Sequence, residues 1–135
     1  MALQYSDTVR NARSDATETA IGVSPMMRLR SGAPPANCAA ADAGTVIATL
    51  LLPADFMNNA AAGVKTKLGT WEDLAADAAG VIGHFRIYNN AGTVCHIQGT
   101  VTLTGGGGDM TVDNTNVTAG QQVTVSAFQT TSGNA

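Results

Sequence analysis

Aromatic and charged side chains are both scarce. Aromatics make up 4% of the 135 residues and Asp, Glu, Lys and Arg together 13%, against 44% hydrophobic residues. The core must therefore be assembled from many small aliphatic side chains, with Thr, Ser, Asn and Gln supplying much of the polar surface. A surface so low in charge lies against other protein at little desolvation cost. Basic residues are missing from the last third of the chain: all seven fall at or before Arg86, and beyond it only Asp109 and Asp113 carry charge. With a formal net charge of −3 and a pI near 5.0, nucleic acid is excluded as the main partner, because phosphate binding needs concentrated Lys and Arg. The longest apolar run, residues 46–52, is far short of the roughly 20 residues a membrane helix requires, so no membrane partner is expected. The opening MALQYSDTVRNARSD turns polar at once and lacks the apolar segment of a secretory leader, which leads us to expect synthesis in the cytoplasm. Two cysteines, Cys38 and Cys95, are too few for a disulfide framework, and a cytoplasmic origin favours free thiols.

Chemistry-bearing constellations are equally thin. His84, Cys95 and His96 suggest a metal or a Cys–His pair, but neighbours on a strand point to opposite faces, and no CxxC or HxxxH spacing occurs. No metal, cofactor or catalytic residue is expected, and the protein reads as a non-enzyme. Cys95 is expected among the core side chains, and the histidines on the surface beside Arg86 and Tyr88. The run Gly105 to Gly108 lacks the Lys-Ser/Thr of a phosphate loop and reads as a flexible hairpin tip. The spacing of Asp109, Asp113, Asn114 and Asn116 does not fit a calcium loop.

What is present in quantity is β pattern. Residues 81–128 alternate apolar and polar side chains, rich in Val, Ile and Thr, and are cut at intervals by Asn, Gly and Asp, the signature of consecutive antiparallel strands. Phe85 and Ile87 fall on one face of a strand, Ile97, Val101 and Leu103 on one face of the next, and Asn89 to Gly92 makes the hairpin turn between them. Residues 26–30 and 64–68 alternate as one-sided strands. Residues 45–52 are apolar on both faces and need cover on both. Residues 31–44, with Pro34-Pro35, read as a long loop. Before these, Tyr5, Val9, Ala12, Ala16 and Ala20 recur at helical spacing, and Gly22 stops the helix. That stripe is thin and needs a surface to lie on, in its own domain or a neighbour. Residues 53–62 read as a short internal helix with Pro53 at its start and Gly63 past its end. Trp71 is expected to close the end of the core. The expected fold is all-β, an antiparallel β-sandwich of the jelly-roll kind, with an N-terminal helix and one short internal helix. Residues 1–30 form the helix and an arm, and 31–135 the sandwich domain, the two making one structural unit.

The segments MALQYSDTVRNAR, SGAPPANCAAADAGTVIATLLLPADFM, GHFRIYNNAGTVCHIQGTV and NVTAGQQVTVSAFQTTSGNA together resemble a family of small virion structural proteins encoded in tailed bacteriophages and prophages. The resemblance runs nearly end to end and brings no catalytic residues with it. It implies a particle component, expected to be a head decoration or cement protein that binds the major capsid protein as a homo-oligomer, dimer or trimer, and is located in the virion. Candidate partner-binding residues are then Tyr5, Val9, Arg10, Arg13, Arg28 and Arg30, in the basic, weakly amphipathic first 30 residues. A tail or neck component is the alternative. A carbohydrate-binding module is a lesser one, because the few aromatics are mostly assigned to packing.

Overall fold

The structure is a computed structural model and describes residues 2–134. One helix, α1 (Asp7–Ile21), is followed by nine strands: β1 (Met26–Ser31), β2 (Val46–Leu51), β3 (Val64–Thr66), β4 (Glu72–Asp73), β5 (Gly80–Tyr88), β6 (Cys95–Leu103), β7 (Met110–Val112), β8 (Asn116–Val117) and β9 (Val123–Thr131). They form one curled sheet in the order β2-β1-β5-β6-β7-β9-β3, with β4 on β9 and β8 on β5. β4 also reaches back to β2, where the Asp73 carboxylate accepts from the Thr49 amide at 3.0 Å. The result is a half-barrel of mixed sheet, which corrects the expected antiparallel sandwich.

The mixed character comes from one connection. β6 and β7 run parallel, Val101 opposite Met110 and Leu103 opposite Val112, although only six residues join them. A hairpin tip at residues 105–108 would have made this pair antiparallel. Instead the chain doubles back along β6, with the Gly108 amide donating to Thr102 Oγ1 at 3.0 Å and the Gly106 amide to the Leu103 carbonyl at 2.8 Å. A Cβ on Gly106 would lie 2.7 Å from the Thr102 side chain, so glycine is what permits so tight a return.

The expected internal helix at 53–62 does not form. Phe56 and Met57 are both buried, and Met57 bridges to Lys67 across a tight hairpin. Its turn is closed by reciprocal bonds between Ala61 and Val64, with Ala62 and Gly63 at φ 49° and 77°. Two successive positive φ values make a type I′ turn. Gly63 thus bends a hairpin rather than ending a helix. The inner face of the half-barrel holds the core: Trp71 is fully buried, 5.5 Å from Phe128 and 6.2 Å from Phe56 between ring centroids, and Phe128 meets Phe85 edge-on at 5.6 Å. The indole N–H donates to the Leu68 carbonyl at 3.1 Å, which satisfies the ring's polar end. Leu50 and Leu52 of the two-sided β2 segment are buried, and Ile47 is covered within the chain by residues 76–80, while Leu51 faces out.

Candidate functional site

Helix α1 starts at Ser6, whose Oγ accepts from the Val9 amide at 3.3 Å, and ends at Gly22, whose amide caps the Glu18 carbonyl. It lies on its domain by its polar side. Asn11 Oδ1 accepts from the Gly63 amide at 2.8 Å, and Ser14 Oγ donates to the Gly63 carbonyl at 3.0 Å. Both backbone groups of the β3 hairpin turn are thus taken up by the helix. A Cβ at Gly63 would meet the Ser132 carbonyl oxygen at 2.3 Å and Arg10 at 2.9 Å, so only glycine admits this approach. Lys65, 3% exposed, donates to Asp15 at 2.7 Å and reaches Glu18 at 2.6 Å. Burial would lower the Lys65 pKa, but the two carboxylates outweigh it and raise it; Lys65 in turn holds the Asp15 carboxyl below its ordinary value. Ile21 alone carries the apolar contact at the end of the helix.

The stripe that sequence periodicity singled out therefore faces away from the domain. Tyr5, Val9, Ala12, Ala16 and Ala20 are all exposed, Val9 at 42%. Arg13 joins that face and stacks over the Tyr5 ring at 5.1 Å. Arg10 turns inward, its Nε donating to the Ser132 carbonyl at 2.8 Å and its Nη1 pairing with Asp7.

Arg28 and Arg30 belong to a second, separate assembly. The boundary expected at residue 30 falls inside β1, which is paired on both sides, to β2 and β5. Its outward side chains meet those of β5 and β6 under loop 32–45, where His84 is fully buried and Arg86 1% exposed, which corrects their expected place on the surface. Arg86 donates to the carbonyls of Cys38 (2.7 Å) and Ala40 (3.1 Å) and pairs with Asp42. Arg30 pairs with the other oxygen of Asp42 at 2.8 Å and donates to the Gly44 carbonyl. Tyr88 donates its hydroxyl to Asp42 at 2.7 Å, with the Arg28 guanidinium stacked 4.7 Å from its ring centroid. Gln98 holds the Pro35 carbonyl at 2.6 Å, and His84 Nδ1 lies 2.8 Å from the Gly32 carbonyl.

Asp42 is the centre of this layer. Burial pushes its carboxyl up, but the Tyr88 hydroxyl and the two guanidiniums prevail and hold it below the ordinary carboxylate range. Burial and the bond to Asp42 raise Tyr88. Asp42 is the single charged residue between Ser31 and Ala54, and that isolation in a run of small residues was the signal available in the sequence. Cys95 also stands here. Its expected inward direction is reversed by a bulge that pairs Ile87 with Ile97 but Tyr88 with Cys95. Arg86 Nε now donates to its sulfur at 3.2 Å.

Of the six candidate partner-binding residues, the structure puts Val9 and Arg13 on the outer face of α1, with Tyr5, which precedes the helix, against the Arg13 guanidinium. Arg10, Arg28 and Arg30 are committed to contacts within the chain. Among the described residues no group of three or more His, Cys, Asp or Glu is placed to hold a metal ion, and no helix is long and apolar enough to cross a membrane. The guanidiniums of Arg30 and Arg86 are taken up by Asp42 and the loop carbonyls, with Arg30 Nε left over, so this layer fastens the loop. Of the six candidates, those on the outer face of α1 are the ones left available for contact. No protein-family model, no curated protein and no solved structure matches the chain.

Proposed function

We propose that the protein is a structural component of a bacteriophage virion, a head decoration or cement protein that binds the major capsid protein as a dimer or trimer and contacts it through the outer face of α1. The observation that carries this reading is the outward stripe Val9, Ala12, Arg13, Ala16 and Ala20, with Tyr5 just ahead of it, on a helix whose polar side is already engaged by Gly63 and Lys65. Small side chains let a partner's backbone approach closely, and Tyr5 with Arg13 adds an aromatic and cationic anchor of the kind enriched at interfaces. The near end-to-end sequence resemblance to phage virion proteins supports the same reading.

The test is co-sedimentation with empty shells assembled from a tailed-phage major capsid protein. Ala16→Asp and Arg13→Glu, both on the exposed face, are expected to abolish binding while leaving the fold intact. Deleting residues 1–22 is the poorer experiment, because it would strip Lys65 of both its carboxylates. Wild-type protein that ignores shells but co-purifies with tails or necks would move it to that part of the particle.

A further inference from the structure

Cys38 and Cys95 are far apart in sequence but share one guanidinium: Arg86 Nη2 donates to the Cys38 carbonyl at 2.7 Å and Nε to the Cys95 sulfur at 3.2 Å. The Cys38 side chain is also near enough to the Cys95 thiol to help raise its pKa. Both are free thiols, partly exposed, and both line a shallow cleft closed by Asp42, Tyr88 and Thr93. The bulge in the β5–β6 ladder is what turns Cys95 to this side. With regular alternation the thiol would point into the core beside Ile97, out of reach of the loop.

We infer that Cys38 and Cys95 form a covalent modification site, a thiol pair that a small-molecule disulfide such as oxidised glutathione converts to a cross-link pinning loop 32–45 onto β6. The Cys38 thiolate attacks one sulfur of the oxidant and releases one small thiolate. The Cys95 thiolate then attacks the Cys38 sulfur of the mixed disulfide and releases the second. One S–S bond breaks and one forms, the protein thiols give up two electrons and two protons, and the two released thiolates take them. Burial pushes the Cys95 thiol up to about 11, against the pull of Arg86, so the second step is the slow one and quickens as pH rises. In a reducing compartment the pair stays open, and in an oxidising one it closes over the arginine layer.

The experiment treats the full chain with oxidised glutathione at mildly alkaline pH, then counts thiols after denaturation and takes the intact mass and the melting temperature. Expected are the loss of both thiols, a monomer lighter by two hydrogens, and a Tm higher by about 10 °C because the cross-link closes a long loop. Dithiothreitol should reverse all three. Cys38→Ser keeps the backbone carbonyl that binds Arg86 and should fold; it is expected to gain only a glutathione adduct on Cys95, with no rise in Tm. Wild-type protein that retains both thiols, carries adducts alone or cross-links between chains would overturn the inference, as would an equal gain in Tm for Cys38→Ser.

Discussion

Strands β1 and β5 bury side chains on both of their faces, by opposite means. On the inner side Met27, Leu29, Phe85, Ile87 and Val101 meet the aromatic cluster around Trp71, and on the outer side Arg30, His84, Arg86 and Tyr88 lie under loop 32–45. Leu29 and His84 are equally inaccessible, both 0% exposed. The inner side is held by apolar area, which is non-directional and indifferent to pH. The outer side depends on a small set of directed bonds from guanidiniums to loop carbonyls and to Asp42. The two should fail differently: the inner in proportion to the volume removed, the outer as a network around its hub.

Trp71→Ala tests the inner side and is expected to have the largest effect, a loss of about 4 kcal/mol in urea denaturation, as for other large-to-small core changes. Arg86→Ala should cost about 3 kcal/mol, because it removes one of the two guanidiniums on Asp42 and the donor to two loop carbonyls; hydrogen exchange should rise in residues 32–45 while the amides of β9 stay protected. Asp42→Asn should cost about 1 kcal/mol, since its partly exposed carboxylate is screened by solvent. Combined with Arg86→Met it should cost less than the sum of the two single changes, and additive losses would mean that the outer layer is not a network. The same Asp42 gives the outer side its pH dependence. Its native pKa lies below the unfolded one, so its stabilisation is complete above about pH 3.9 and fades as pH falls through the native value. Loop protection should therefore weaken in acid before the core melts, and Asp42→Asn should flatten that dependence. Ala16→Asp, on neither side of the sheet, should shift stability by less than about 0.5 kcal/mol, so any loss of shell binding would report on the helix surface alone.

Alternation was enough to find β1, β3, β5 and β6 and the hairpin at 89–92, and a short apolar run to find β2, because these patterns are local. Parity alone does not say what covers each face. Arg28, Arg30, His84 and Arg86 share the outer face as expected, but their burial depends on Asp42, in a loop without any pattern. The same limit explains α1. Periodicity located the Val9, Ala12, Ala16 stripe, yet the docked side is Asn11, Ser14 and Glu18, chosen by Gly63 and Lys65 far along the chain. At 53–62 a run of small residues read as helix was overridden by the burial of Phe56 and Met57. The parallel β6–β7 pair was hidden because a glycine run is compatible with either a hairpin tip or a tight return. Cys95 was misdirected by one bulge, which shifts parity without leaving a mark in the composition.

The fastening of α1 also bears on the order of events during synthesis. Arg10 is bonded to Ser132, 122 positions later, and the Ser132 amide in turn donates to the Gly63 carbonyl at 2.7 Å. At roughly 5–20 residues per second, the ribosome takes on the order of 6–25 s to deliver that partner after Arg10 is made. A single helix of 15 residues is marginal in water over that interval. The helix, made before the β domain, is thus locked only after it, and the surface it turns outward acquires its fixed shape only once that domain has folded.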